Sequence, residues 1–366
     1  MQQLKFIISG GGTGGHIFPA IAIANALKKA EPNGEILFVG AEGRMEMEKV
    51  PNAGYKIIGL PVMGLQRKLT LKNLAFPFKL IRSLLKAKKV VKDFAPNAVV
   101  GVGGYASGPT LKAANSKGIP TIIQEQNSYP GITNKLLAKK AKLICVAYDN
   151  MENFFPKEKI KLTGNPVRQD ITSLENIRSE ALEYFKLDAS KKTVLVIGGS
   201  LGALTINKAI LASLEKFQEK DIQLIWQTGN GFKDKAKSAT ANYSNTQSHA
   251  FITKMNYAYA VADVVISRAG ALSISEICVT GKPSILVPSP NVAEDHQTKN
   301  AMALVSKNAA LLVKDVDAEE TLVSSALKLI NDESKCNELR ENLKPLAFKN
   351  AAESIANEII KIAKQN

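Results

Sequence analysis

The sequence predicts an α/β protein built from two Rossmann-like parallel-sheet domains. Three observations lead to this. The chain has 366 residues, more than one compact domain usually holds. Short apolar runs alternate with helical stretches, the pattern of parallel strands covered by helices on both faces. The opening arrangement of strand, glycine loop and helix also recurs halfway along the chain. It first occupies residues 4–9, 10–15 and about 17–30, and then residues 193–197, 198–202 and 204–216.

Further strands read at 35–39, 98–102, 121–124 and 143–147. The two halves match beyond their openings. AVVGVGG (98–104) leads to a helix, then Gly118-Ile119-Pro120, a strand and Asn127. DVVISRAG (263–270) leads to a helix, then Gly281-Lys282-Pro283, a strand and Asn291. Two copies of one architecture account for this better than a tandem array. Gly164-Asn165-Pro166 favours a break, so the expected domains are 1–165 and 166–341. The terminal helix, within 342–366, carries Ile355, Ile359 and Ile362 on one face and is expected to rejoin the first domain. Cys145, Cys278 and Cys336 lack metal-like spacing and read as reduced thiols. No apolar run reaches the ~18 residues of a spanning helix. Residues 4–9 are too short for a secretory core.

The net charge of +15 is one-sided. Residues 1–165 hold 24 Lys/Arg against 10 Asp/Glu, whereas residues 166–366 hold 24 against 23. Such a field suits an anionic partner for the first half. Residues 64–92 hold nine Lys/Arg and no acid, interleaved with Leu71, Leu74, Phe76, Phe78, Leu80, Ile81, Leu84 and Leu85. That pattern suits a basic amphipathic surface lying on an anionic membrane, and it also fits a helix whose apolar face enters the core. Nucleic acid is disfavoured: aromatics are only 6%, and the basic stretch carries leucines rather than stacking residues.

The loop Gly10-Gly11-Gly12-Thr13-Gly14-Gly15 lets backbone approach a phosphate at a helix N-terminus. Its spacing fits the dinucleotide fingerprint, but no acid ends the second strand and no Lys-Ser/Thr closes a Walker loop. His16 follows directly and reads either as a general base or as a histidine packed at a helix start. The 101–109 loop, GVGGYASGP, again ends a strand and starts a helix, so the two suggest one extended anion site. In the second half, GGSLGA (198–203) offers further amides, and SRAGALSISE (267–276) turns a strand into a helix with free amides at 271–273. Glu276, one turn inside, can accept both hydroxyls of a ribose whose phosphates lie on that helix end. Asp295-His296-Gln297 precedes another helix and can meet a sugar, or simply cap the helix.

Seven stretches in register, GGGTGGHIFPA, GVGGYASGP, QEQN (124–127), GNPVR (164–168), GGSLGA, SRAGALSISE and EDHQTKNA (294–301), are collectively distinctive. On these the chain resembles the MurG family of glycosyltransferases, family 28 of the GT-B class. Members add N-acetylglucosamine to the lipid-linked muramyl-pentapeptide precursor of bacterial cell wall. The resemblance implies two Rossmann-like domains facing a cleft and UDP-N-acetylglucosamine as donor. By position, it implies donor contacts at Thr13, Gly14, Gly15, Asn127, Arg168, Ser200, Ile252, Ala271, Leu272, Ser273, Ile274, Ser275, Glu276, His296 and Gln297. Acceptor contacts fall at Gly12, Gly103, Gly104 and Tyr105. His16 is the first choice for the base and Glu125 the second. His296 and Leu201 stand where glutamine is common in the family. Neither metal nor cofactor is expected. The implied reaction is inverting attack by the acceptor 4-hydroxyl, on the cytoplasmic face of the bacterial inner membrane, by a peripheral enzyme. Another nucleotide-sugar enzyme of this fold, such as an epimerase, is the competing reading.

Overall fold

The computed structural model describes residues 3–62, 76–199 and 201–365. Ser200 and residues 63–75, with Leu71, Leu74 and part of the basic stretch, lie outside the described residues. The chain divides into two compact units, Met1–Val167 with Asn350–Asn366, and Arg168–Lys349.

The first unit carries seven strands: β1 (Lys5–Ser9), β2 (Glu35–Ala41), β3 (Lys56–Leu60), β4 (Ala98–Gly101), β5 (Thr121–Glu125), β6 (Leu143–Val146) and β7 (Ile160–Leu162). They are ordered 3-2-1-4-5-6-7 and are parallel throughout. β1 shows why the strands read as unbroken apolar runs. Phe6 and Ile8 enter one core, with α1 (Gly14–Ala30), while Ile7 enters the other. Both faces are covered, so the period-2 alternation is apolar on each side. The helices α2 (Glu46–Asn52), α3 (Phe76–Phe94), α4 (Ser107–Asn115) and α5 (Ile132–Ala138) complete the crossovers.

The second unit begins with α6 (Arg178–Tyr184). Its strands are β8 (Thr193–Ile197), β9 (Gln223–Gln227), β10 (Thr246–His249), β11 (Val264–Ser267), β12 (Ser284–Leu286) and β13 (Leu311–Leu312). They form a second parallel sheet in the order 10-9-8-11-12-13. Its helices are α7 (Leu204–Leu211), α8 (Leu214–Glu219), α9 (Lys233–Thr240), α10 (Met255–Val261), α11 (Ala271–Thr280), α12 (His296–Val305), α13 (Ala318–Asn331) and α14 (Glu333–Leu343). The single helix expected over 204–216 is thus two, broken at Ala212-Ser213, where Ser213 leaves helical geometry (φ −132°, ψ 19°). β3, β7 and several short second-unit strands were not legible, being brief or mixed in polarity.

The terminal helix α15 (Ala351–Lys364) buries Ile355, Ile359 and Ile362 in the core beside α1, in the first unit. The observed boundaries, 167/168 and 349/350, differ from the expected ones because residues 342–349 finish α14 and its following turn in the second unit. In each sheet the strand order reverses beside the first strand, between β1 and β4 and again between β8 and β11. Parallel α/β sheets bind ligands at the carboxyl ends of the strands flanking such a reversal. All four loops singled out in the sequence for their glycines follow these four strands. No helix among the described residues is long and apolar enough to cross a membrane.

Candidate active site

In the first unit the loops after β1 and β4 interlock. A Cβ on Gly104 would lie 2.4 Å from Gly11 O, and one on Gly103 would lie 2.8 Å from His16 Nε2. Gly103 and Gly104 also have φ of 94° and 84°, so both space and backbone conformation demand glycine. Ser107 Oγ fastens the junction by donating to Ser9 O at 2.7 Å and to Gly103 O at 2.8 Å. His16 sits in the first turn of α1 with its ring against Gly103. Its Nδ1 lies 3.0 Å from Gly11 O and 3.4 Å from Thr13 Oγ1. A carbonyl accepts only, so Nδ1 carries the proton toward Gly11 and Nε2 is the basic nitrogen of the neutral ring. Gly12, His16, Gly103 and Gly104 are therefore brought together, with Tyr105 exposed beside them. The Gly12 amide, however, donates to Glu46 Oε2 at 2.9 Å and is not turned out toward a ligand.

Glu125 ends β5 and is buried. Its Oε1 accepts from Asn127 N (3.0 Å) and Asn127 Nδ2 (3.2 Å), and its Oε2 from Gly131 N (3.2 Å) and Asn134 Nδ2 (2.8 Å). Burial pushes its pKa up, and the four donors pull it back. The carboxylate organises the loop that carries Asn127.

In the second unit Gly202 lies so close to the β9 end that a Cβ would be 2.1 Å from Thr228 O. Gln227 links the parts of this site: its Nε2 donates to Gly199 O at 3.1 Å, and its Oε1 accepts from Ile252 N at 2.9 Å. α11 starts at Ala271 after Gly270, with no side-chain cap on its N-terminus. The first amides of a helix have no carbonyl a turn earlier to bond, so Ala271, Leu272 and Ser273 present donors and the positive end of a dipole. Ile274 N already bonds Gly270 O at 3.0 Å and belongs to the helix ladder. Ser275 Oγ bonds back to Ala271 O at 3.0 Å.

Glu276 has a 14% exposed side chain. Its Oε1 lies 3.3 Å from Arg168 Nε, and its Oε2 accepts from Tyr259 Oη at 3.1 Å. Burial raises the Glu276 pKa, opposed by the Arg168 charge and the Tyr259 hydrogen bond. Tyr259 is itself fully buried, and its hydroxyl is pushed well above its usual range by burial and then by the Glu276 charge. On α12, Gln297 Oε1 accepts from Ser289 N at 2.9 Å, which holds the loop after β12, and His296 opens the helix. Thr13, Gly14, Gly15 and Asn127 belong to the first unit, and the other described donor candidates to the second.

Glu46, Asn134, Gln227 and Tyr259 were missed from sequence. Tyr259 lies in MNYAYAV, whose helical spacing reads as core, and only the fold shows its hydroxyl aimed at a carboxylate. Tyr259→Phe strands Glu276 Oε2 without its donor and should cost about 1–3 kcal/mol in denaturant unfolding. Tyr257→Phe, which removes a hydroxyl bonded to Glu180 at the surface, should stay within about 0.5 kcal/mol. Equal effects would refute the assignment of the buried pair.

Comparison with known proteins places the chain in a family. The glycosyltransferase family 28 N-terminal domain matches residues 6–146 and the family 28 C-terminal domain matches residues 193–359. A relative from Parabacteroides distasonis is 57% identical over 364 residues, covering 99% of each chain. One from Phocaeicola vulgatus is 58% identical over 365 residues, covering 99% of this chain and 97% of its own. Both are named UDP-N-acetylglucosamine--N-acetylmuramyl-(pentapeptide) pyrophosphoryl-undecaprenol N-acetylglucosamine transferase. Among solved structures, Acinetobacter baumannii MurG superimposes with a TM-score of 0.79 at 28% identity, over 98% of this chain and all of its own. With two parallel sheets, the matched domains and relatives aligned end to end, the chain belongs to glycosyltransferase family 28, with the two-domain GT-B fold.

Proposed function

We propose that this hexosyltransferase moves N-acetylglucosamine from UDP-N-acetylglucosamine to the 4-hydroxyl of undecaprenyl-diphospho-N-acetylmuramoyl-pentapeptide, in peptidoglycan synthesis. The observation that carries the donor half is Glu276, a buried carboxylate one turn inside an uncapped helix N-terminus. It accepts the ribose hydroxyls while the diphosphate lies on the amides of residues 271–273. Ile252, held by Gln227, meets the uracil. The observation that carries the acceptor half is His16, whose Nδ1 is committed to Gly11 O. Nε2 takes the proton as the 4-hydroxyl attacks the anomeric carbon and UDP leaves from the opposite face. His16 is preferred to Glu125 because the Glu125 carboxylate is engaged by Asn127 and Gly131 in the loop after β5 and by Asn134 on α5. Charge developing on the leaving diphosphate is met by the α11 dipole and Arg168, so no step of this scheme is assigned to a metal or cofactor.

The reading of a peripheral protein lying on an anionic membrane, at its cytoplasmic face in this scheme, is supported by α3. Ser83, Ala87, Val90 and Val91 are buried, whereas Phe78, Ile81 and Leu85 lie on the opposite side, 72%, 56% and 61% exposed. Arg82, Lys88, Lys89 and Lys92 flank that apolar stripe. Such a surface gains from both apolar insertion and anionic headgroups, at about 1 kcal/mol per cation near the surface.

Purified protein should transfer labelled sugar from UDP-N-acetylglucosamine to the lipid-linked muramyl acceptor. His16→Ala should lower turnover by roughly 10²–10⁴-fold while UDP still binds; full turnover would remove His16 from the role. Ribose recognition needs Glu276 ionised, and burial raises its pKa against Arg168 and Tyr259, with Asp170 nearby adding to the rise. UDP affinity should therefore be full at neutral pH and weaken on acidification sooner than an ordinary carboxylate would dictate. By calorimetry, Glu276→Gln should flatten that profile and cost about 2 kcal/mol, roughly thirtyfold in Kd. A flat profile in the unaltered protein would argue against ribose recognition by Glu276. Replacing Lys88, Lys89 and Lys92 with Glu should release the protein from anionic vesicles at low salt, and retained binding would place the membrane surface elsewhere.

A further inference from the structure

Glu46 is a fully buried carboxylate to which the scheme above gives no part. It stands in the first turn of α2 and joins the ends of two neighbouring strands. Its Oε1 accepts from Ala41 N at 3.0 Å, at the end of β2, and its Oε2 accepts from Gly12 N at 2.9 Å, in the loop after β1. Two glycines make room for it. A Cβ on Gly11 would lie 2.1 Å from Glu46 Oε1, and one on Gly40 would lie 2.6 Å from its Cγ. A buried charge is retained only when it is well paired, and here both oxygens are spent on backbone amides.

The Gly12 N–H and the Gly11 C=O belong to one planar, trans peptide group. Glu46 therefore grips one end of the peptide whose other end holds His16 Nδ1 at 3.0 Å. Because the N–H and C=O of a trans peptide point in opposite directions within its plane, Glu46 and His16 lie at opposite edges of the group. A glycine–glycine peptide flips easily, and a flip would turn N–H toward His16 in place of C=O. An anion on the N–H also polarises the C=O and strengthens the bond it accepts.

We propose that Glu46 is a positioning residue that locks the Gly11–Gly12 peptide and so sets the orientation and Nδ1-protonated tautomer of His16. Its catalytic consequence rests on the reading of His16 as the base; the tautomer itself does not. Glu46→Gln tests it, since a glutamine is isosteric but presents one acceptor and one donor to two N–H groups. The chain has three histidines, His16, His249 and His296, so long-range nitrogen–proton NMR correlations can be assigned with His16→Ala.

At a pH where the ring is neutral, the unaltered protein should show His16 protonated on Nδ1. In Glu46→Gln the tautomers should mix, and kcat should fall roughly tenfold or more. Kd for UDP should stay within about twofold, because the uracil, ribose and diphosphate contacts of the proposed scheme lie in the second unit. If Glu46→Gln does not fold, Glu46→Asp retains the charge on a shorter arm, and a tautomer mixture there supports the proposal equally. A folded variant in either series with an unchanged His16 tautomer and unchanged kcat overturns it. A tautomer change with no loss in kcat upholds the lock and sinks the base assignment instead.

Discussion

The close approach of the loops after β1 and β4 is the contact on which the arrangement of the first unit around His16 depends. The Gly104 backbone sits against the Gly11 peptide, and Gly103 sits against the His16 ring, at distances no side chain would allow. The parallel sheet sets this up by placing β1 beside β4 in register, from Phe6 opposite Ala98 to Ser9 opposite Gly101, so both strands release their chains at one level. Without glycine at these positions the loops would part, and His16 would lose the carbonyl that orients it.

The second unit solves a related problem differently. Its strand order again reverses between β8 and β11, but here a helix start without a side-chain cap is followed one turn on by the carboxylate of Glu276. The carboxylates of the two units have contrasting duties. Glu46 and Glu125 are saturated by their own backbone and loop side chains and act as braces. Glu276 is held by one guanidinium, itself 40% exposed, and one phenol. Glu125 accepts from four donors and Glu276 from two, although burial raises the pKa of both.

The one-sided charge of the sequence has a physical place in the fold. Cations gather in the first unit, and α3 presents Arg82, Lys88, Lys89 and Lys92 around apolar side chains that the core does not use. The terminal helix α15 returns to this unit because Ile355, Ile359 and Ile362 need a second apolar surface, which α1 supplies.

The fold class was legible in the sequence because β-strands buried on both faces leave unbroken apolar runs, and each reversal loop declares itself by its glycines. His16 and Glu276 were legible for the same reason, each lying within a turn of such a loop. Glu46, Gln227 and Tyr259 were not. Each acts through a partner distant in sequence, from 17 residues for Tyr259 with Glu276 to 34 for Gly12 with Glu46. A buried acid reads as first-turn enrichment, and a buried tyrosine as core, until the chain has folded around them. What the sequence alone determined is therefore the two sheets, their four glycine loops and the residues within those loops. Which amides face outward, which carboxylates are already occupied and which nitrogen of His16 carries the proton were decided only by the tertiary structure. Those properties belong to hydrogen bonds between elements, and pattern within one element does not record them.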